Sequence, residues 1–147
     1  MAKVSIIGGG SWGIALGALL GKNGHEVTVW SALEQEIAML REKHEHRMLP
    51  GVKLPENVAY TVNDREAVEG QDLLVMAVAS SYTRETSRRL SALVSPGQKI
   101  VNVAKGIEER TLMTLSQIIE EEIPGADVAV MSGPSHAEEV GRGLPTP

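Results

Sequence analysis

The sequence predicts an α/β fold, a parallel sheet doubly wound with helices on both faces. Short apolar runs of strand length alternate with longer segments whose apolar residues recur at helical spacing. No hairpin signal joins one run to the next, so each connection has to cross over, as parallel pairing requires. The first run, Val4 to Ile7, is apolar but for Ser5, which suits a central strand covered on both sides.

The elements follow in order. Val4 to Ile7 is a buried strand ending in glycines. "SWGIALGALLGKNG" places Ile14, Ala15, Ala18 and Leu19 at helical spacing, and Gly24 stops that helix. "HEVTVW" is the second strand. "SALEQEIAMLREKHEH" is the second helix, with Leu33, Ile37 and Leu40 as its buried stripe. The proline-punctuated "MLPGVKLPENV" is a loop. A strand near Val58 to Thr61 and a short helix around Asp64 to Glu69 come next. "DLLVMAV" is a strand, "SSYTRETSRRLSALV" a helix stopped by Pro96 and Gly97, and "KIVNVA" a strand. "TLMTLSQIIEEEI" is a helix ended by Pro124 and Gly125, and "DVAVMS" is the last strand. No second domain is expected within residues 1–147.

Composition narrows the function classes. At 147 residues and 42% hydrophobic content the chain can build one aliphatic core, since it has no Phe and its aromatics are Trp12, Trp30, Tyr60 and Tyr82. Without cysteine there is no disulfide, zinc–thiolate or thiol chemistry. A net charge of -5 argues against a nucleic-acid partner. No apolar run reaches spanning length, and "MAKVSIIGGG" is not a signal peptide, so the expectation is a cytoplasmic protein with no membrane partner. His44 and His46 lie two apart and face apart on a helix, so no metal site is expected.

Gly8-Gly9-Gly10-Ser11-Trp12-Gly13 fits G-x-G-x-x-G between a strand and a helix, the context that makes the motif informative. Gly8 permits the tight turn, Gly10 lets the backbone approach a pyrophosphate, and Gly13 allows close helix–strand packing. The sheet is then of Rossmann type, and the cofactor is NAD or NADP, bound at the amides of the helix start. At the end of the second strand, Ser31 is assigned to the cofactor side. No carboxylate stands there to take ribose hydroxyls. Ser31-Ala32-Leu33-Glu34 has the S-x-x-E form of a capping box, which favours Glu34 as a cap over a ribose ligand.

"GGGSWGIAL", "VAKGIE" and "SGPSHAEEV", in this order, resemble NAD(P)-dependent glycerol-3-phosphate dehydrogenase of the bacterial soluble type. "NGHEVTVW" and "LPGVKLPENV" are similar to it as well, so the likeness covers essentially the whole chain. The resemblance implies interconversion of sn-glycerol 3-phosphate and dihydroxyacetone phosphate for phospholipid synthesis. It also implies a homodimer in the full-length protein, and a chain here that lacks the C-terminal helical substrate domain. Such a chain would bind cofactor without efficient turnover.

Ser11, Trp12 and Ala137 match cofactor contacts of that family. Lys105 matches a catalytic lysine that reaches both nicotinamide and substrate, and Gly133 and Ser135 match substrate-side positions. Tyr82 is placed against the nicotinamide end. Lys105 follows a strand, at the sheet edge where ligands bind, and its ammonium can polarise a carbonyl or neutralise a phosphate. Ser135 and Glu138 form a second S-x-x-E cap, and His136 is structural or surface. The chain departs from the pattern at Ala79, where proline is common. Ala32 and Leu33 stand where NADP users often carry His or Arg, which argues against a strong NADP preference. Two other readings stay open: the cofactor domain of a related hydroxy- or keto-acid dehydrogenase, and a non-catalytic nucleotide-sensing module.

Overall fold

The computed structural model describes residues 1–146. Its strands are β1 (Lys3–Ile7), β2 (Glu26–Trp30), β3 (Val58–Thr61), β4 (Leu73–Met76), β5 (Lys99–Asn102) and β6 (Asp127–Val130). Among the described residues they form one sheet in the order β3-β2-β1-β4-β5-β6, with every pairing parallel. The helices are α1 (Ser11–Lys22), α2 (Glu34–Lys43), α3 (Asp64–Val68), α4 (Thr83–Leu90), α5 (Leu115–Glu122) and α6 (Ala137–Gly141).

Alternation along each strand feeds two cores, one per face of the sheet. Val4, Ile6, Val27, Val29 and Val75 enter the first, against Ile14, Ala15 and Ala18 of α1, Ile37 and Leu40 of α2, and Val140 of α6. Ile7, Trp30, Leu74, Met76 and Ile100 enter the second, against Ala67 and Val68 of α3, Leu90 of α4, and Ile119 and Ile123 on and after α5. The proline-punctuated loop is not a bystander: Leu49, Val52 and Leu54 are buried in the first core. Among the described residues no helix is long and apolar enough to cross a membrane.

Several expected boundaries shift, each for a local reason. The second helix begins at Glu34, not Ser31, because the Ser31 hydroxyl accepts the Leu33 N–H at 3.0 Å and holds a turn there. Leu33 is consequently exposed and leaves the buried stripe, which keeps Ile37 and Leu40. Leu19 likewise lies outside the buried face of α1. The segment 80–94 is α4 flanked by 3-10 turns at Ser80–Tyr82 and Ser91–Leu93.

The fifth helix starts at Leu115, four residues late. Residues 107–114 fold back instead, with Ile107 bridged to Thr114, Glu108 N–H donating to the Met113 carbonyl at 3.0 Å, and Leu112 in the left-handed region. Its start carries a full capping box, Thr114 with Gln117, whose T-x-x-Q signature was readable in the sequence.

Candidate functional site

The β1–α1 turn is built by contacts that only glycine allows at two positions. Gly8 has φ 128°, and a Cβ there would lie 2.8 Å from the Ala77 carbonyl carbon and the Val78 nitrogen of the chain leaving β4. Its N–H donates to the Trp30 carbonyl at 2.8 Å, so the turn is tied to the end of β2. A Cβ at Gly13 would lie 2.8 Å from the Gly8 carbonyl and 3.0 Å from Ile6, which presses α1 onto the sheet. Gly10 differs: nothing lies within 4 Å of its Cβ position. No side chain caps α1 and no acidic residue stands in its first turn, so its amides and positive pole face the crevice uncompensated from within the helix.

Two recesses meet at the carboxyl ends of β1 and β4, where the strand order reverses and ligands bind in this architecture. The first, about 400 Å³, is lined by Gly8 to Gly10, Trp30 to Leu33, Glu36, Tyr82 and Arg89, among others. The second, about 320 Å³, is lined by Trp12, Lys105, Ser135, His136 and Ala137 with the chain from Val103. Ala77, Val78 and Ala79 border both, so the two recesses adjoin. Trp12 lines the second, its indole Nε1 donating to the Val103 carbonyl at 2.9 Å.

Lys105 is exposed and reaches the Ser135 carbonyl at 3.4 Å with its Nζ. Two features aim this segment. Asn102 turns its amide back to the Ala104 carbonyl at 3.0 Å, and Gly106, with φ 133°, packs where a Cβ would lie 3.0 Å from Ser80. Beyond it, Glu108 takes a two-pronged ion pair from Arg84 of α4, Nε to Oε2 at 2.8 Å and Nη2 to Oε1 at 2.9 Å. Arg84 also binds Glu122 at 3.0 Å, which Arg88 shares.

The Arg84 guanidinium, followed by the Thr111 hydroxyl, holds the Glu108 carboxyl down to about 2 from its ordinary 4.5. A folded value below the unfolded one gives stability that is present above about 4.5 and is lost as pH falls toward about 2. Glu108→Gln is therefore expected to be less stable than the parent at neutral pH. That gap should close across the acid window as the parent's own carboxylate protonates. Urea unfolding of both proteins along a pH series checks this, and a gap independent of pH would contradict it.

Ser11 opens α1, half-buried, and lines neither recess. Ser31 and Tyr82 line the first recess; Tyr82 is not in the lining of the Lys105 recess. Gly133 accepts the Ser135 N–H at 2.9 Å, and Ala137 begins α6 against the first core. Neither S-x-x-E segment caps its helix. Leu33 and His136 occupy the cap positions without a side-chain hydrogen bond, so Glu34 and the Ser135–Glu138 pair are not caps. The Ser31 hydroxyl is spent on its own turn, and α6 starts one residue beyond the position that would let Ser135 cap it.

Sequence reasoning missed two groups in the first recess. The Glu36 carboxylate occupies the space a side chain at Gly9 would need. Arg89 lies 5.3 Å over the Trp30 ring and donates to Asp64 at 2.8 Å. No sequence motif marks either. Among the described residues no group of three or more His, Asp or Glu side chains is placed to hold a metal ion.

A parallel sheet in this order, with a glycine-built helix start at its reversal, defines a Rossmann-type dinucleotide-binding domain. A sequence model for the NAD-dependent glycerol-3-phosphate dehydrogenase N-terminus matches residues 3–147. The chain belongs to that family. It is 58% identical to a glycerol-3-phosphate dehydrogenase (NAD(P)+) of Agathobacter rectalis and 50% identical to one of Fusobacterium nucleatum, in each case over 99% of this chain and 44% of the relative. It therefore spans less than half the length of these relatives. A crystal structure of glycerol-3-phosphate dehydrogenase from Coxiella burnetii superposes with a TM-score of 0.91 at 28% identity, over 99% of this chain and 45% of that one.

Proposed function

We propose that this chain is the cofactor-binding part of an enzyme that interconverts sn-glycerol 3-phosphate and dihydroxyacetone phosphate with NAD(P)H. In that role it would act in the cytoplasm, supply glycerophospholipid synthesis and work within a homodimer. The observation that carries the reading is the pair of adjoining recesses, one at the open face of Gly10 and the other at the Lys105 ammonium. The names of the relatives support the substrate pair.

The site fits a dinucleotide because Gly10 leaves empty the space a side chain would fill, directly at uncapped helix amides. The backbone amides of Ser11 and Trp12, in that first turn, would hold the diphosphate, while Gly13 keeps α1 close to the sheet. The bound nicotinamide supplies hydride chemistry. Lys105, from the other recess, would hold the substrate by its carbonyl or phosphate oxygen, with Gly133, Ser135 and Ala137 shaping that wall.

Calorimetric titration with NADH tests the reading, with Gly10→Val as the negative control. Gly10 has extended backbone that valine adopts without strain, and valine at this N-cap costs about 1 kcal/mol, so the variant should stay folded with a thermal midpoint only a few degrees lower. Its β-branched side chain should intrude on the diphosphate and weaken binding by about 100-fold or more. Unchanged affinity would remove the cofactor from this turn.

A further inference from the structure

We infer that Glu36 takes the adenosine ribose hydroxyls and makes the site prefer NADH to NADPH, an inference that rests on the cofactor reading above. The expected place for such a carboxylate is the end of β2, and there the chain offers only Ser31, Ala32 and Leu33. The fold supplies it from elsewhere. Because α2 begins at Glu34, Glu36 sits in its first turn, and its carboxylate reaches back onto Gly9. Gly9 is one residue before the open Gly10 that starts α1, and it lines the same recess as Ser31 to Leu33. The carboxylate thus lies beside Gly9, in the lining shared by the helix start suited to a diphosphate and the hollow at Ser31 to Leu33. A dinucleotide spanning these two has its adenosine ribose there. A carboxylate accepts hydrogen bonds from both free hydroxyls and repels a 2′-phosphate.

The competing group is Arg89, the single cation among the described residues lining this recess. Its guanidinium is already engaged, with Nε on Asp64 Oδ2 at 2.8 Å and the group 5.3 Å over the Trp30 ring. Asp64 is itself fixed by the Trp30 indole at 3.1 Å. Glu85 adds a second negative charge to the lining. A 2′-phosphate entering here would meet two carboxylates and one cation paired in place.

The test is calorimetric titration of the full-length protein with NADH and NADPH, in the parent, Glu36→Gln and Glu34→Gln. The parent should bind NADH at least about tenfold more tightly, the size expected for a charged hydrogen-bond acceptor. Glu36→Gln should bring the two affinities within about threefold by weakening NADH and strengthening NADPH. Glu34→Gln, exposed in the same helical turn, should keep the parental ratio.

The unmodified protein provides a second reading: ADP-ribose should displace NADH at least about tenfold better than 2′-phospho-ADP-ribose. A parent that favours NADPH, a ratio unmoved by Glu36→Gln, or equal displacement by the two fragments would overturn the assignment. A parent that binds neither dinucleotide would instead overturn the cofactor reading itself.

Discussion

Gly8→Ala is expected to destabilise the protein by about 4 kcal/mol, a large share of the roughly 5–15 kcal/mol that holds a domain folded. Two effects combine. At φ 128° a side chain is strained by about 1–3 kcal/mol. The new methyl would also meet the backbone of Ala77 and Val78 at 2.8 Å, and forced overpacking adds about 1–3 kcal/mol. Neither strand can yield freely. β1 and β4 are paired from Val4–Leu73 to Ile7–Met76, and the Ile7 carbonyl accepts the Ala77 N–H at 2.8 Å. Urea unfolding should show a large fall in midpoint for Gly8→Ala and a change of about 1 kcal/mol or less for Gly10→Ala, whose added carbon meets nothing and whose cost is that of alanine at an N-cap. Similar losses at both positions would show that the turn is not held as described.

On the proposed function, Lys105→Met is expected to lower kcat/KM of the dehydrogenase reaction on the order of 100- to 1000-fold, the scale for removing one positioned electrostatic group. The thermal midpoint should stay within a few degrees of the parent, since Lys105 is exposed and its one hydrogen bond, to the Ser135 carbonyl, is long at 3.4 Å. Its neighbours Gly106 and Glu108 are held by other groups, so the segment should keep its course. Steady-state rates with dihydroxyacetone phosphate and NADH, alongside NADH titration, separate the roles. The loss should fall mainly on kcat and far less on NADH affinity. A change under about threefold would remove Lys105 from the reaction.

The glycine turn of the candidate site was legible because its signals are local. The G-x-G-x-x-G turn declares itself within six residues, and the structure shows the reason at Gly8 and Gly13, where a Cβ would meet neighbouring atoms at 2.8 Å. Lys105 was singled out by the family resemblance of "VAKGIE", and the strand before it places it at the sheet edge. The capping boxes were less reliable. S-x-x-E occurs twice without capping, whereas Thr114-x-x-Gln117 caps α5. The motif states which side chains could bond the helix start, and a competing turn, such as the one Ser31 makes with Leu33, takes the hydroxyl first.

By itself the sequence determined the strands, their parallel winding and the glycine turn, because periodicity and backbone freedom act over a few residues. Only the tertiary structure decided that Glu36 reaches Gly9, that Arg84 clamps Glu108, and that Arg89 stacks on Trp30 and binds Asp64. These partners lie 24 to 59 positions apart. Their meeting depends on the phase of each helix and the order of the sheet, which packing of the two cores sets and no local pattern encodes.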